Sequence, residues 1–217
     1  MSAPTPATIW HGAILAEIDT WAAANNHCMM TIGPDRSRPI LELMQTSQPQ
    51  NMAELGGYIG YSAILFGDEL RRAGGRRYYS LEASAEYAAV ARSLVDLAGL
   101  GEFVEILVGE AADSLVELVG RPEHKKPGPI DLLFLDHDGC LYPPDFLTVE
   151  RLGLLAVGST VMADNAWLFG AEEYAGWMTV PREQEVQGRR VKYESRTLPY
   201  VLPDGQQDAV MISTKVL

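Results

Sequence analysis

Cysteine is nearly absent. Only Cys28 and Cys140 occur among 217 residues, too few for a disulfide framework, so a reduced, cytoplasmic protein is expected. Long apolar runs are lacking as well: the longest mainly apolar stretch, residues 152–163, falls short of the roughly 18 to 20 needed to cross a bilayer. The opening MSAPTPATIWHG has no charged region leading into an apolar one, so neither a secretory leader nor a membrane partner is expected. Dense positive charge is the third absence. The runs Arg71-Arg72 with Arg76-Arg77, Lys125-Lys126 and Arg189-Arg190 are short, and 29 acidic residues outweigh 17 basic ones for a formal net charge of -12. Such a surface repels phosphate backbones, which excludes nucleic acid as the expected partner. No repeat with a period of roughly 20 to 50 residues recurs, which argues against a solenoid or propeller.

What the chain does have is alternation. Its length suits one domain, residues 1–217, able to place helices on both faces of a sheet; residues 1–48 read as an N-terminal helical cap and 49–217 as the core. Trp10, Ile14, Ile18 and Trp21 fall at helical spacing and predict an amphipathic helix over 8–24. The segment TIGPDRSRP reads as a loop and ILELMQ as helix-like. Beyond Pro49, NMAEL, RRYYSLE, FVEILVG, IDLLFLD and GSTVMAD read as strands buried on both faces. Helical patterns separate them at 61–72, 85–98, 111–118 and 145–155. Alternation of this kind predicts an α/β fold with a parallel, doubly wound sheet. The tail, VKYESRTLPYVL then PDGQQ then DAVMISTKV, predicts an antiparallel hairpin at its edge. The breaker-rich GRPEHKKPGP reads as a surface loop.

In such sheets the ligand lies beyond the carboxyl ends of the strands, near the switch in strand order. There ELGGYIGYS, Glu54 to Ser62, ends the first strand, and Gly56, Gly57 and Gly60 let a ligand approach the backbone ahead of a helix N-terminus. The spacing is not G-x-G-x-x-G, so a dinucleotide is poorly supported. Glu82 ends the second strand, where a carboxylate can accept both hydroxyls of a ribose. A nucleoside without a diphosphate follows, and S-adenosylmethionine fits, with Glu54 suited to its amino group. Two further strands end in Asp136-His137-Asp138 and Asp164-Asn165. Two carboxylates and an amide suit Mg²⁺, a hard cation that keeps positions for water and substrate; helix capping is the competing reading. Trp167, Phe169 and Tyr142 are aromatic candidates for clamping a planar substrate, and Cys140 lacks the surroundings of a nucleophile.

The motifs ELGGYIGYSA, YYSLEAS, VDLAGL before VEILVGEA, DLLFLDH, LLAVGSTVMADN and MMTIGPD together resemble the catechol O-methyltransferase family, in the same order and spacing from about residue 9 onward. The resemblance implies a Rossmann-like class I methyltransferase fold, a seven-stranded mostly parallel sheet with extra N-terminal helices. It also implies an S-adenosylmethionine site and a Mg²⁺ that chelates a small-molecule acceptor through two vicinal oxygens. Carried over by motif, Glu82 binds the ribose; Glu54, Tyr58 and Ser62 hold the methionine end; Met30 and Ile32 line the pocket; His137 lies against the adenosine; and Asp136, Asp164 and Asn165 hold the metal. Ala111-Ala112 stand where the family often has serine and glutamine, so adenine contacts differ there. A monomer or homodimer is expected.

The pattern breaks at Gly139. The resemblance implies a lysine there, the base that takes the acceptor's proton, and its glutamate near the C-terminal hairpin aligns with Pro199. General acid-base help is worth about 10² to 10⁴ in rate, so three readings follow: an acceptor that is already acidic, such as an enol, hydroxyquinone or phenol; Asp138 as a replacement base, which needs burial to be a good one; or a non-methylating reaction or a binding role on the same fold. Methyl transfer is favoured, because the residues expected for cofactor and metal are all present.

Overall fold

The computed structural model describes residues 6–26, 29–120, 130–180, 184–186, 188–202 and 204–217. Helices α1 (Pro6–Ala24) and α2 (Gly33–Ser47) precede an alternation of β1 (Asn51–Leu55), α3 (Tyr61–Arg72), β2 (Arg77–Glu82), α4 (Ala85–Leu97), β3 (Val104–Val108), α5 (Ala111–Gly120), β4 (Leu132–Leu135), α6 (Tyr142–Leu152), β5 (Thr160–Ala163) and α7 (Glu172–Thr179). Short strands β6 (Gln184–Val186) and β7 (Arg189–Val191) come next, then the hairpin β8 (Tyr193–Val201) and β9 (Gln207–Lys215). The main sheet has seven strands in the order β3-β2-β1-β4-β5-β9-β8. β1 to β5 are parallel, and β9 runs antiparallel to both β5 and β8. The α/β expectation with an antiparallel edge is therefore met.

The period-2 pattern of the strands divides the core in two. Met52, Tyr78, Leu132, Phe134 and Met162 face a cluster shared with Ile14, Ile40, Met44, Ile64 and Ala91 of α1 to α4. Ala53, Leu81, Leu133, Leu135 and Val161 face Leu115, Phe146, Val149 and Tyr174 of α5 to α7. Because Ile32, Ile40 and Met44 are buried against the sheet, the N-terminal helices form a layer of this core. Polar ties reinforce it: Tyr61 Oη donates to Asp19 Oδ2 at 3.1 Å, and His11 Nδ1 lies 2.9 Å from Asp68 Oδ1. Among the described residues, no helix is long and apolar enough to cross a membrane.

Some sequence expectations are corrected. The supposed loop TIGPDRSRP supplies the first turns of α2, since proline is tolerated where a helix begins and its N–H has no partner to lose. Pro39 lies inside α2, and burial of Ile40 and Met44 offsets its cost. α6 starts at Tyr142 and not at 145, for the same reason: Pro143-Pro144 occupy its first turn. The β6–β7 hairpin was not expected; three-residue strands carry too little pattern to be read. Residues 121–129, most of the breaker-rich segment, and Cys28 lie outside the described residues.

Candidate active site

The order β3-β2-β1 runs one way from β1 and β4-β5 the other, so the switch point lies at the carboxyl ends of β1 and β4. Register carries the chain ends side by side: Leu55 pairs with Leu135, and Leu135 with Ala163. The next backbone groups continue the ladder, with Asp136 N donating to Leu55 O at 2.9 Å and Asp164 N to Leu135 O at 3.0 Å. Gly56 sits at the closest approach. A Cβ there would lie 2.5 Å from Asp136 O and 2.8 Å from His137 Cα, and its φ is +95°. No other residue type brings the β1 turn so near β4. At Gly57 a Cβ would meet Ser80 Oγ at 2.3 Å.

Glu54 is wholly buried beneath this turn. Tyr78 Oη donates to its Oε2 at 2.7 Å and Ser80 Oγ to its Oε1 at 2.6 Å, with Ser62 as a third hydroxyl partner. Burial pushes the Glu54 carboxyl up, against the pull of these hydroxyls. It acts here as the anchor that ties β1 to β2 and to the start of α3. Glu82, at the end of β2, accepts from Tyr58 N at 2.7 Å through Oε2 and from Ser84 N at 2.8 Å through Oε1. Two of a carboxylate's roughly four lone-pair sites are thus used for orientation, and the rest remain for a ligand. The Tyr58 ring packs edge-on to Tyr87 with centroids 4.7 Å apart. Ile32 is buried, whereas Met30 is 68% exposed. Ala111 and Ala112 are half-buried at the start of α5.

Asp136, Asp164 and Asn165 are brought together by β4 and β5. Burial and the neighbouring Asp164 push the Asp136 carboxyl well up, with Arg36 pulling it down. Asp164 is fully buried, and burial raises it too, again opposed by Arg36. Asn165, at φ +49°, donates through Nδ2 to Tyr200 Oη at 3.1 Å and to Asp208 Oδ2 at 2.8 Å. Those bonds orient the amide and leave Oδ1 as its end available to a cation. Among the described residues no group of three or more His, Cys, Asp and Glu side chains is gathered as a metal site; what is gathered is two carboxylates and one amide. Asp164 lies close enough to raise the cost of ionising Asp136, and two carboxylate oxygen donors with one amide oxygen fit a hard divalent ion.

Sequence reasoning missed Arg36, Tyr200 and Asp208. Arg36 Nη1 donates to Asp164 Oδ2, and Nη2 donates to Thr31 O at 2.6 Å. Tyr200 Oη donates to Asp164 Oδ1 at 3.0 Å. Asp208, fully buried, also accepts from Trp167 N at 3.1 Å. Tyr200 lies near the carboxyl end of β8, which runs parallel to β5, whereas Asp208 is at the start of β9, an antiparallel strand that brings its amino end to the place where parallel strands end. A search of carboxyl ends alone passes over such a residue.

Around the break, His137 Nε2 pairs with Asp145 Oδ2 at 3.0 Å, and its Nδ1 is buried without a hydrogen-bond partner among the described residues. Asp138 is exposed and caps the turn 139–141, accepting from Cys140 N at 3.0 Å. Gly139 has a steric cause: a Cβ would lie 2.6 Å from both Ala171 N and Phe169 O. The β5–α7 loop occupies the space into which a side chain would grow. Trp167 and Phe169 on that loop are exposed by 38% and 65%. Tyr142 corrects the expectation of a substrate clamp, because it is buried against Tyr174 with its hydroxyl donating to Asp164 O at 3.2 Å.

The profile of the O-methyltransferase family matches residues 7–187. The chain belongs to the O-methyltransferase family. Catechol O-methyltransferase of Mus musculus is 30% identical to it over 166 residues, 76% of this chain and 60% of that protein. The chain thus spans about 60% of the length of that relative. A probable O-methyltransferase of Mycobacterium tuberculosis is 31% identical over 183 residues, covering 84% of this chain and 76% of the other. Among solved structures, an O-methyltransferase from Bacillus cereus in complex with SAH superposes with a TM-score of 0.72 at 26% identity, over 93% of this chain and 90% of that one. This O-methyltransferase-family chain therefore combines the Rossmann-like fold with a glycine wedged under the β5–α7 loop.

Proposed function

We propose that the chain is an S-adenosylmethionine- and Mg²⁺-dependent O-methyltransferase acting on a small, acidic, metal-chelating acceptor: an enol, a hydroxyquinone or an electron-poor phenol. The observation that carries it is the meeting, at one switch point, of the Gly56 turn, the pre-oriented Glu82 carboxylate and the Asp136–Asp164–Asn165 donor set. Family membership and the likeness to the Bacillus cereus enzyme in complex with SAH support it. Glu82 accepts the ribose hydroxyls, and His137 lies against the adenosine. Glu54, Tyr58 and Ser62 hold the methionine end, and Met30 and Ile32 line the pocket. Asp136, Asp164 and Asn165 hold the metal, which when bound lowers the acceptor's pKa and fixes two of its oxygens. An O–CH₃ bond forms as the S–CH₃ bond breaks, releasing S-adenosylhomocysteine, and the acceptor's proton has already passed to solvent water. That order follows from Gly139, which provides no base, and from Asp138, whose exposure denies it the burial a strong carboxylate base requires. Trp167 and Phe169 close over the planar acceptor. Residues 1–217 act as one cytoplasmic unit, monomer or homodimer, with 1–48 as its cap.

The test is S-adenosylhomocysteine release with a panel of catechols and acidic enols, with and without Mg²⁺. Turnover of the acidic acceptors only with Mg²⁺ is expected. Tight cofactor binding with no release from any acceptor would favour a non-methylating or purely binding role instead. Glu82→Ala is expected to weaken S-adenosylmethionine binding by about 10- to 100-fold in calorimetry, the loss of hydrogen bonds to one charged group. An unchanged affinity would remove Glu82 from the ribose site.

A further inference from the structure

We propose that Arg36 is a tethered competitor of the divalent cation: it holds Asp164 in the metal-free protein and is expelled when the metal is bound. This rests on Asp136, Asp164 and Asn165 being the metal ligands.

Each oxygen of Asp164 already accepts one hydrogen bond, Oδ2 from the Arg36 guanidinium and Oδ1 from the Tyr200 hydroxyl. The guanidinium is further held by Thr31 O and lies 5.4 Å from the centre of the Tyr200 ring. Mg²⁺ binds oxygen at about 2.0 to 2.1 Å, within the space that the Arg36 nitrogen fills on Oδ2. Even on the other oxygen, a doubly charged ion beside a guanidinium in a buried site meets strong repulsion. One cation at a time is the stable arrangement. Asp136 feels the Arg36 charge, but neither it nor Asn165 makes a described hydrogen bond to Arg36, so the direct contest is for Asp164.

The displaced side chain has somewhere to go. A cavity of about 390 Å³ is lined by Arg36, Glu42, Pro199 and Tyr200, among others. It offers the guanidinium space and the Glu42 carboxylate as a new neighbour. Movement would also loosen the first turn of α2, because Arg36 ties that turn to Asp164, directly after β5. Ile32 directly precedes α2, so metal loading is coupled to the wall of the cofactor pocket.

The test uses Mn²⁺ alone, titrated into the whole apo protein and followed by electron paramagnetic resonance. Arg36→Gln is expected to bind Mn²⁺ at least about ten-fold more tightly than wild type, a change of roughly 1.4 kcal/mol. Arg38→Gln removes the same charge from an exposed neighbour in the same cavity and is expected to change affinity less than about two-fold, as screened surface charges do. Equal affinities for wild type and Arg36→Gln, or an equal gain from Arg38→Gln, would overturn the competition while leaving the metal site standing. No binding to wild type, to Arg36→Gln or to a folded Arg36→Lys would instead bring down the metal assignment, and the competition with it. Wild type gives a readout that needs no variant: amide hydrogen exchange over residues 33–38 should quicken on Mg²⁺ saturation. Unchanged protection in a protein that binds the metal would also overturn the proposal.

Discussion

Replacing Glu150 by alanine is expected to lower stability by about 3 to 5 kcal/mol, the usual cost of leaving one member of a buried ion pair without its partner. Lys215 Nζ donates to Glu150 Oε1 at 3.0 Å and Oε2 at 2.8 Å, and to Leu155 O at 3.2 Å. Tyr193 Oη donates to the same carboxylate. Glu150 and Lys215 are 5% and 9% exposed, so water cannot replace what is lost. The pair fastens α6 to the end of β9 and, through Tyr193, to the start of β8. That hairpin carries Tyr200 and Asp208 to the candidate metal ligands. Denaturant melts of Glu150→Ala measure the effect; a loss below about 1 kcal/mol would mean that the pair is solvated like a surface salt bridge. The double variant Glu150→Leu with Lys215→Met should recover much of the loss, because apolar replacement removes both desolvation costs together.

Gly139→Lys is expected to destabilise the protein by more than the roughly 1 to 3 kcal/mol typical of overpacking, and to give no gain in catechol turnover. The new Cβ would press on Ala171 N and Phe169 O at 2.6 Å each, and backbone cannot yield as a flexible side chain can. Gly170 closes the loop from the other side, where its own Cβ would lie 2.4 Å from Cys140 Sγ. The β5–α7 loop must therefore lift, carrying Trp167 and Phe169 away from the site. Thermal melts and S-adenosylhomocysteine release with a simple catechol measure both halves. A variant that melts like wild type and turns over catechol faster would show that the lysine alone was missing, and that the loop is not the reason for the glycine.

The strands of this fold were legible because their apolar runs are continuous: LLFL and TVMA are buried at every position. The helices α3 and α4 were equally plain from their period. Prolines misled the reading at α2 and α6, since a proline in a first turn and a proline in a loop look alike until the following residues are seen to be buried. At the site, Glu82, Asp136, Asp164 and Asn165 could be named because each ends, or follows the end of, a parallel strand. Tyr142 shows the limit of that rule. Its position one turn past a strand end resembles a pocket mouth, and only packing against Tyr174 shows that it belongs to the core.

The sequence by itself determined the α/β alternation, the antiparallel edge and the family, all of which depend on local periods and short motifs. Which groups satisfy Asp164 and Asn165 was decided by tertiary structure alone. Arg36 lies 128 positions from Asp164, Tyr200 36 positions from it, and Asp208 43 positions from Asn165. Their meeting depends on the order of strands and the direction of β9, which no local pattern encodes. Gly139 belongs to both kinds: the sequence marks it as a missing base, and the folded loop from Phe169 to Ala171 supplies the steric reason.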